Sequence, residues 1–149
     1  MNLTQDDIYK TNDYIRAVVK ARDAMCRSAA LFYSGAGMVM ESPSEKVKLT
    51  EQAMLLFAEE CSPAMEDLVK QQSWLTDVFE VKTGNAGMYP RWLVARSYYT
   101  TILRTYNAGN PCYYFIFNLT GNIVHTLNNL RIDMNEEIGK EFPEKCRSA

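Results

Sequence analysis

The sequence contains no aspartate or glutamate between residues 81 and 132, although the chain as a whole is acidic. This acid-free segment carries five of the 16 basic residues, whereas the remaining 97 residues carry all 18 acids. It also holds six of the nine tyrosines and the only histidine, His125. A basic, aromatic segment within an acidic protein is typical either of central packing, where carboxylates are costly to bury, or of a surface that binds a partner.

Long hydrophobic runs are absent, and so is the start of a secretory signal. No apolar stretch approaches the ~18 residues that a bilayer-spanning helix needs. The N-terminal residues 1–7 are acidic, where a signal peptide would be basic and then apolar. A length of 149 residues with 47% hydrophobic side chains fits one domain with its own core. We therefore expect a single cytoplasmic domain without a membrane segment.

Closely spaced cysteines are absent as well. Cys26, Cys61, Cys112 and Cys146 lie at least 34 residues apart, whereas a zinc site normally places two ligands within a few residues of each other. Isolated cysteines of this kind favour free, buried thiols in a reducing compartment. We predict no metal ion and no cofactor.

Signatures of enzyme chemistry are equally sparse. The glycines at 84–87 are not followed by the lysine of a phosphate-binding loop, and there is no Gly-x-Ser-x-Gly nucleophile elbow. No acid lies within seven residues of His125, so the Glu-x-x-His pairs of bundle metal sites are missing. Cys112 lies on the same predicted helix as His125 but about 20 Å away, too far for a cysteine–histidine pair.

Helix-length apolar patterns cover most of the chain. Thr4 and Asp7 have the spacing of a capping box, which predicts a first helix from there to about residue 34. The buried stripe predicted for this helix consists of Ile8, Ile15, Val19, Cys26, Ala30 and Tyr33.

Proline after a polar residue marks the later helix starts. Ser42-Pro43 predicts a second helix, which Pro63 either kinks or divides, and the apolar pattern continues to about residue 80. The glycines at 83–87 indicate a loop. Helices are then expected at about 90–108 and, after Asn110-Pro111, at about 111–138, with Gly139 as the stop.

The predicted fold is an all-α, single-domain antiparallel helical bundle of four to five helices over residues 1–141, with a mobile C-terminal tail at 142–149. The aromatic run at 113–117 would also suit a strand, but a lone strand has no partner elsewhere in the chain.

Tyrosine, tryptophan and arginine, the residue types that anchor protein interfaces, recur along the fourth predicted helix and at the start of the last. We predict a small interaction or regulatory protein, rather than an enzyme, that binds a protein partner or another copy of itself through this face. The predicted partner-binding residues are Trp92, Arg96, Tyr99, Arg104, Tyr106, Tyr113 and Tyr114.

Two alternatives remain open from the sequence. His125 shares a polar helical face with Asn118, Asn122 and Asn129, which would suit a small-ligand binder or a bundle enzyme. The acid-free segment would also suit single-stranded nucleic acid, although five bases in 52 residues is an ordinary density. We expect no membrane partner.

Overall fold

Helices cover nearly all of the residues that the computed structural model describes, which are 3–37, 43–108 and 113–141. The α-helices of this part of the chain are α1 (Gln5–Gly37), α2 (Pro43–Leu56), α3 (Ser62–Trp74), α4 (Glu80–Thr83), α5 (Met88–Asn107) and α6 (Tyr113–Glu141). Two π-helical turns, Phe57–Cys61 and Leu75–Phe79, join α2 to α3 and α3 to α4, so that α2 to α4 form one continuous rod. The predicted all-α fold is confirmed, and residues 113–117 are helical.

Contacts between α1 and α6 show that these two long helices run in opposite directions. Arg22 Nη1 donates to Asn128 Oδ1 at 2.9 Å, and the rings of Tyr33 and Phe117 have centroids 5.2 Å apart. Residues later in α1 therefore contact residues earlier in α6, as in an antiparallel pair.

The rod formed by α2 to α4 is antiparallel to α1. Arg27, late in α1, forms an ion pair with Glu60 in the first π-helical turn, at 3.2 Å. Lys82, at the far end of the rod, contacts Asp7 in the first turn of α1. The start of α1 is thus tied to the end of the rod, and its later part to the middle of the rod.

Helix α5 is antiparallel to both the rod and α6, which completes an up-down-up-down bundle of four rods. Trp92 Nε1 donates to Gln72 Oε1 of α3, and Arg91 at the start of α5 pairs with Asp133 near the end of α6. We call the end at which α1 and α5 finish and α6 begins the upper end of the bundle. No described helix has a stretch that is both long and apolar enough to cross a lipid bilayer.

Large apolar side chains fill the interior between the rods. Each contributes roughly 1.5–3 kcal/mol by leaving water. The largest fully buried side chains include Trp92, Tyr14, Phe32, Phe57, Phe79 and Met25.

The helix starts predicted at Thr4 and at Pro43 are confirmed. The N–H of Thr4 donates to Asp7 Oδ2 at 2.9 Å and the N–H of Asp7 donates to Thr4 Oγ1 at 3.1 Å, which are the two bonds of a capping box. The rod continues through Pro63, which therefore does not start a separate rod. The π-helical turn before it ends with the N–H of Ser62 donating to the carbonyl of Phe57, and α3 follows directly.

The stripe predicted for α1 is wrong over its second half, because Cys26, Ala30 and Tyr33 are exposed. The predicted residues do share one side of α1, but beyond Val19 the neighbouring rods cover a different side of the helix. Among the described residues, the side chains that α1 buries from residue 14 onwards are Tyr14, Ile15, Val18, Ala21, Ala24, Met25, Ser28 and Phe32.

Other boundaries and cysteine predictions need smaller corrections. Helix α6 continues through Gly139 to Glu141, since a single glycine weakens a helix without ending it. Cys61 is free and buried as predicted, whereas Cys26 is free but exposed. The start signal at 110–111, the predicted tail at 142–149, and the other two cysteines lie outside the residues whose side chains are described.

Candidate interaction surface

Two of the predicted partner-binding residues belong to the core. The side chain of Trp92 is 0% exposed and that of Tyr99 is 4% exposed. The Tyr99 ring stacks on Phe57 with centroids 6.0 Å apart, and its hydroxyl donates to Glu66 Oε1 at 3.2 Å. Burial raises the pKa of Tyr99. Both residues are therefore removed from the predicted partner-binding set, because no partner reaches them without unfolding the bundle.

The remaining predicted residues of α5 differ in accessibility. Tyr106 is half-buried and packs against Phe32 and Phe57, with ring centroids 6.3 and 5.6 Å away. Arg96 is also half-buried, and its Nη1 donates to Gln72 Oε1 at 3.2 Å. Arg104 is exposed. Tyr106 thus anchors α5 on its core-facing side, whereas Arg96 and Arg104 place positive charge at its surface.

Neither arginine of this surface is neutralised by a carboxylate of the described residues. Arg96 bonds only to the neutral amide of Gln72, and Arg104 forms no ion pair there. Arg91, one turn before Arg96, is by contrast paired with Asp133. The acid-free segment therefore leaves free positive charge on the outer side of α5.

A row of side chains runs along the outer side of α5, with Arg96 at one end of the row and Arg104 at the other. Between them lie only small polar side chains, and the hydroxyls of Thr100 and Thr101 donate to the carbonyls of Arg96 and Ser97 in the preceding turn. A shallow groove of about 240 Å³ runs over this face. We call Arg96, Ser97, Thr100, Thr101 and Arg104 the basic ridge.

Aromatic side chains gather at the upper end of the bundle. Tyr114 is 57% exposed, and its ring lies 6.2 Å from Phe117, which in turn contacts Tyr33 of α1. Phe115, the next residue in the first turn of α6, is 46% exposed. We call Tyr33, Tyr114, Phe115 and Phe117 the aromatic cluster. The side chain of Tyr113, a predicted binding residue, lies outside the described ones.

The basic ridge and the aromatic cluster lie towards the same end of the molecule. Arg104 is in the last turn of α5, and α6 begins at Tyr113 beside it in the antiparallel pair. Further down α5, Leu93 and Val94 add exposed apolar surface, at 39% and 45%. Sequence reasoning missed Phe115 and Tyr33, since the first had been given no role and the second had been assigned to the core of α1.

The predicted face around His125 is open to solvent. Asn129 Nδ2 lies 3.2 Å from His125 Nε2, four residues away on the same helix, and His125, Asn118 and Asn122 are all exposed. These side chains share a face as predicted, but they stand on a convex helix surface. An arrangement of this kind does not surround a small ligand.

A second concave feature, the α1–α3 cleft, lies on another side of the bundle and has a volume of about 570 Å³. Glu59 and Asp67 on its α3 side are exposed and form no ion pair within the described residues, whereas Glu60 is paired with Arg27 of α1. The residues that line the cleft are Ala17, Lys20, Ala24, Arg27, Glu59, Glu60, Pro63, Ala64 and Asp67.

Among the described residues, no three histidine, cysteine or acidic side chains are grouped as metal ligands. Comparisons of the chain with protein-family models, with curated proteins and with solved structures find no match.

Proposed function

We propose that this protein is a small helical interaction or regulatory protein, which binds a protein partner through the aromatic cluster and the adjoining basic ridge. The observation that carries the proposal is the exposure of Tyr33, Tyr114 and Phe115, at 47%, 57% and 46%, at one end of the bundle. Single exposed apolar residues are ordinary, but grouped aromatic side chains are typical of protein-binding surfaces.

Charge adds a second line of support. Arg96 and Arg104 have no carboxylate partner in the described part of the chain, and the whole segment 81–132 contains no acid. Complementary charge steers association and sets which partner is accepted. We therefore expect the partner to present carboxylates to the ridge.

The helices beneath the surface favour binding because they are already ordered. Trp92, Tyr99 and Tyr106 anchor α5 in the core, so the ridge loses little conformational freedom when a partner binds. Preorganisation of this kind reduces the entropic cost of association. Action without catalysis and a cytoplasmic location stay predictions from the sequence.

Removal of the exposed rings tests the proposal. In the double variant Tyr114→Ala/Phe115→Ala, binding of a captured partner is expected to weaken at least roughly tenfold, since aromatic anchors dominate interface energies. Wild type and variant are used as baits in parallel, and affinities for proteins captured by the wild type are measured by titration calorimetry. Tyr9→Ala is the matched control, because Tyr9 is 58% exposed near the opposite end of α1.

Retained affinity in the double variant, or an equal loss in Tyr9→Ala, would refute the proposal. Circular dichroism accompanies each variant, because a loss of helix content would mean that the removed rings support the fold instead of a partner.

A further inference from the structure

We infer that a second copy of this chain is a partner, and that its α1–α3 cleft receives the basic ridge of α5. The inference rests on the proposed function, since it names the occupant of a surface that is taken to bind protein. It concerns the charged part of that surface and depends on four residues: Arg96 and Arg104 of one copy, and Glu59 and Asp67 of the other.

The charges on the two surfaces have the same spacing. Arg96 and Arg104 are eight residues apart on α5, which corresponds to roughly 12 Å along the helix axis. Glu59 and Asp67 are also eight residues apart on the rod, and helical geometry gives a similar distance of roughly 12 Å. Two arginines laid along this side of the cleft therefore meet two carboxylates in register.

The shapes are compatible with close approach. The ridge carries only serine and threonine side chains between its arginines, and the cleft has Ala17, Ala24 and Ala64 among its lining residues. Small side chains on both surfaces let two helices come near each other, whereas long ones would hold them apart. The cleft is the larger and more enclosed of the two surfaces, because the groove over the ridge is shallow and has less than half the volume.

The distribution of free charge indicates which rim the ridge follows. On the α1 rim, Arg27 is already paired with Glu60 at 3.2 Å, and Lys20 would repel the ridge. On the α3 rim, Glu59 and Asp67 are without an ion pair among the described residues. The ridge is therefore expected to lie along α3, with its arginines against these two carboxylates.

A contact of this kind joins two different surfaces, so it is heterologous. In a pair, one copy keeps an unused cleft and the other an unused ridge, and further copies can add until a ring closes or a chain of copies extends. Association is expected to depend on salt, since the screening length falls from ~10 Å at 0.1 M to ~3 Å at 1 M ionic strength.

Sedimentation velocity of the full chain tests the inference. The average mass of the wild type is expected to rise with protein concentration at low salt and to fall towards the monomer at 1 M salt. A ridge variant, Arg96→Gln/Arg104→Gln, and a cleft variant, Glu59→Gln/Asp67→Asn, are each expected to self-associate at least roughly tenfold more weakly. Lys10→Gln is the control, because it removes an exposed charge from the start of α1, about two turns before the first residue that lines the cleft.

Mixing the two variants separates this arrangement from other forms of self-association. The ridge variant keeps an intact cleft and the cleft variant keeps an intact ridge, so an equimolar mixture is expected to form a dimer that does not grow further. A symmetric ridge-to-ridge dimer would instead persist in the cleft variant alone.

The inference fails if the wild type is monomeric at every concentration, if neither variant weakens association, or if the mixture forms no dimer. Failure here is distinguishable from failure of the proposed function. A monomeric wild type whose captured partner is lost in Tyr114→Ala/Phe115→Ala would refute the second copy as partner and leave the aromatic surface intact.

Discussion

The ammonium of Lys82 lies 2.5 Å from Oδ2 of Asp7, the same oxygen that accepts the backbone N–H of Thr4. One carboxylate therefore closes the capping box of α1 and anchors the end of the rod, 75 residues further along the chain. The Asp7 side chain is 8% exposed and that of Lys82 is 33% exposed. The hydrogen bond from Lys82, followed by that from Thr4, holds the pKa of Asp7 below its ordinary value.

This contact predicts a pH-dependent loss of stability in acid. Because the pKa of Asp7 is lower in the folded protein, its contribution is present above the unfolded pKa and is lost as the pH falls through the folded pKa, below about pH 4. Asp7→Asn is expected to lower the free energy of unfolding by about 1–2 kcal/mol at pH 7 and by less at pH 3. Urea unfolding at the two pH values measures both.

The neighbouring Asp6 provides the control for that experiment. Its side chain is 74% exposed and pairs only with Lys10 on the surface of α1. Asp6→Asn is expected to change stability by less than about 0.5 kcal/mol. An equal loss at both pH values in Asp7→Asn would contradict an electrostatic role for Asp7.

Two adjacent glutamines are predicted to differ in their effect on stability. Gln72 Oε1 accepts hydrogen bonds from Trp92 Nε1 and Arg96 Nη1, so Gln72→Ala leaves the N–H of a fully buried tryptophan without its partner. The expected cost is about 1–3 kcal/mol. Gln71 donates to Asp67 at the surface, and Gln71→Ala is expected to cost less than about 0.5 kcal/mol. Thermal unfolding followed by circular dichroism compares the two, and similar melting temperatures would count against the bridging role of Gln72.

Two glycines are predicted to respond to alanine with opposite signs. Gly84 has φ of 73°, in the left-handed region, and an added Cβ would meet nothing within 4 Å. Gly84→Ala is therefore expected to cost about 1 kcal/mol through backbone strain alone. Gly121 lies within α6 and also has open space around it, so Gly121→Ala is expected to stabilise the protein by about 0.5–1 kcal/mol. Chemical denaturation of both variants checks the signs, and a shared sign would contradict the assigned conformations.

The cysteines Cys26 and Cys61 are predicted to differ in reactivity. Cys61 is buried, and burial raises its pKa to about 12, so it carries almost no thiolate near neutral pH. Cys26 is exposed on α1. Iodoacetamide followed by peptide mass spectrometry is expected to label Cys26 in the native protein and Cys61 only after unfolding. If Cys61 were labelled as fast as Cys26 in the folded protein, the first π-helical turn would have to open readily, which would contradict the predicted difference.

Several elements were predictable from the sequence because their signals are local. The reciprocal bonds of Thr4 and Asp7 need only three residues of spacing, and the loop at Gly84 needs only a residue that tolerates positive φ. The helix from Pro43 follows from the fixed φ of proline in a first helical turn.

The candidate surface was only partly predictable. Trp92, Tyr99 and Tyr114 have similar amphipathic side chains, yet the first two are buried and the third is exposed. Composition identifies such residues as suited to either place, and only the neighbouring helices decide which side is covered. Gln72 had no signal at all, since its role depends on Trp92 and Arg96 of another helix.

The sequence by itself determined the helices, most of their starts, and the concentration of basic and aromatic residues in the segment without acids. These properties arise from backbone geometry and residue type within a few turns of helix. The tertiary structure alone decided that rings from α1 and α6 meet at the upper end, and that Gln72 of α3 bonds to Trp92 and Arg96 of α5. Such outcomes depend on contacts between residues far apart in the chain, and the apolar periodicity of a single helix does not specify which residues of another helix pack against it.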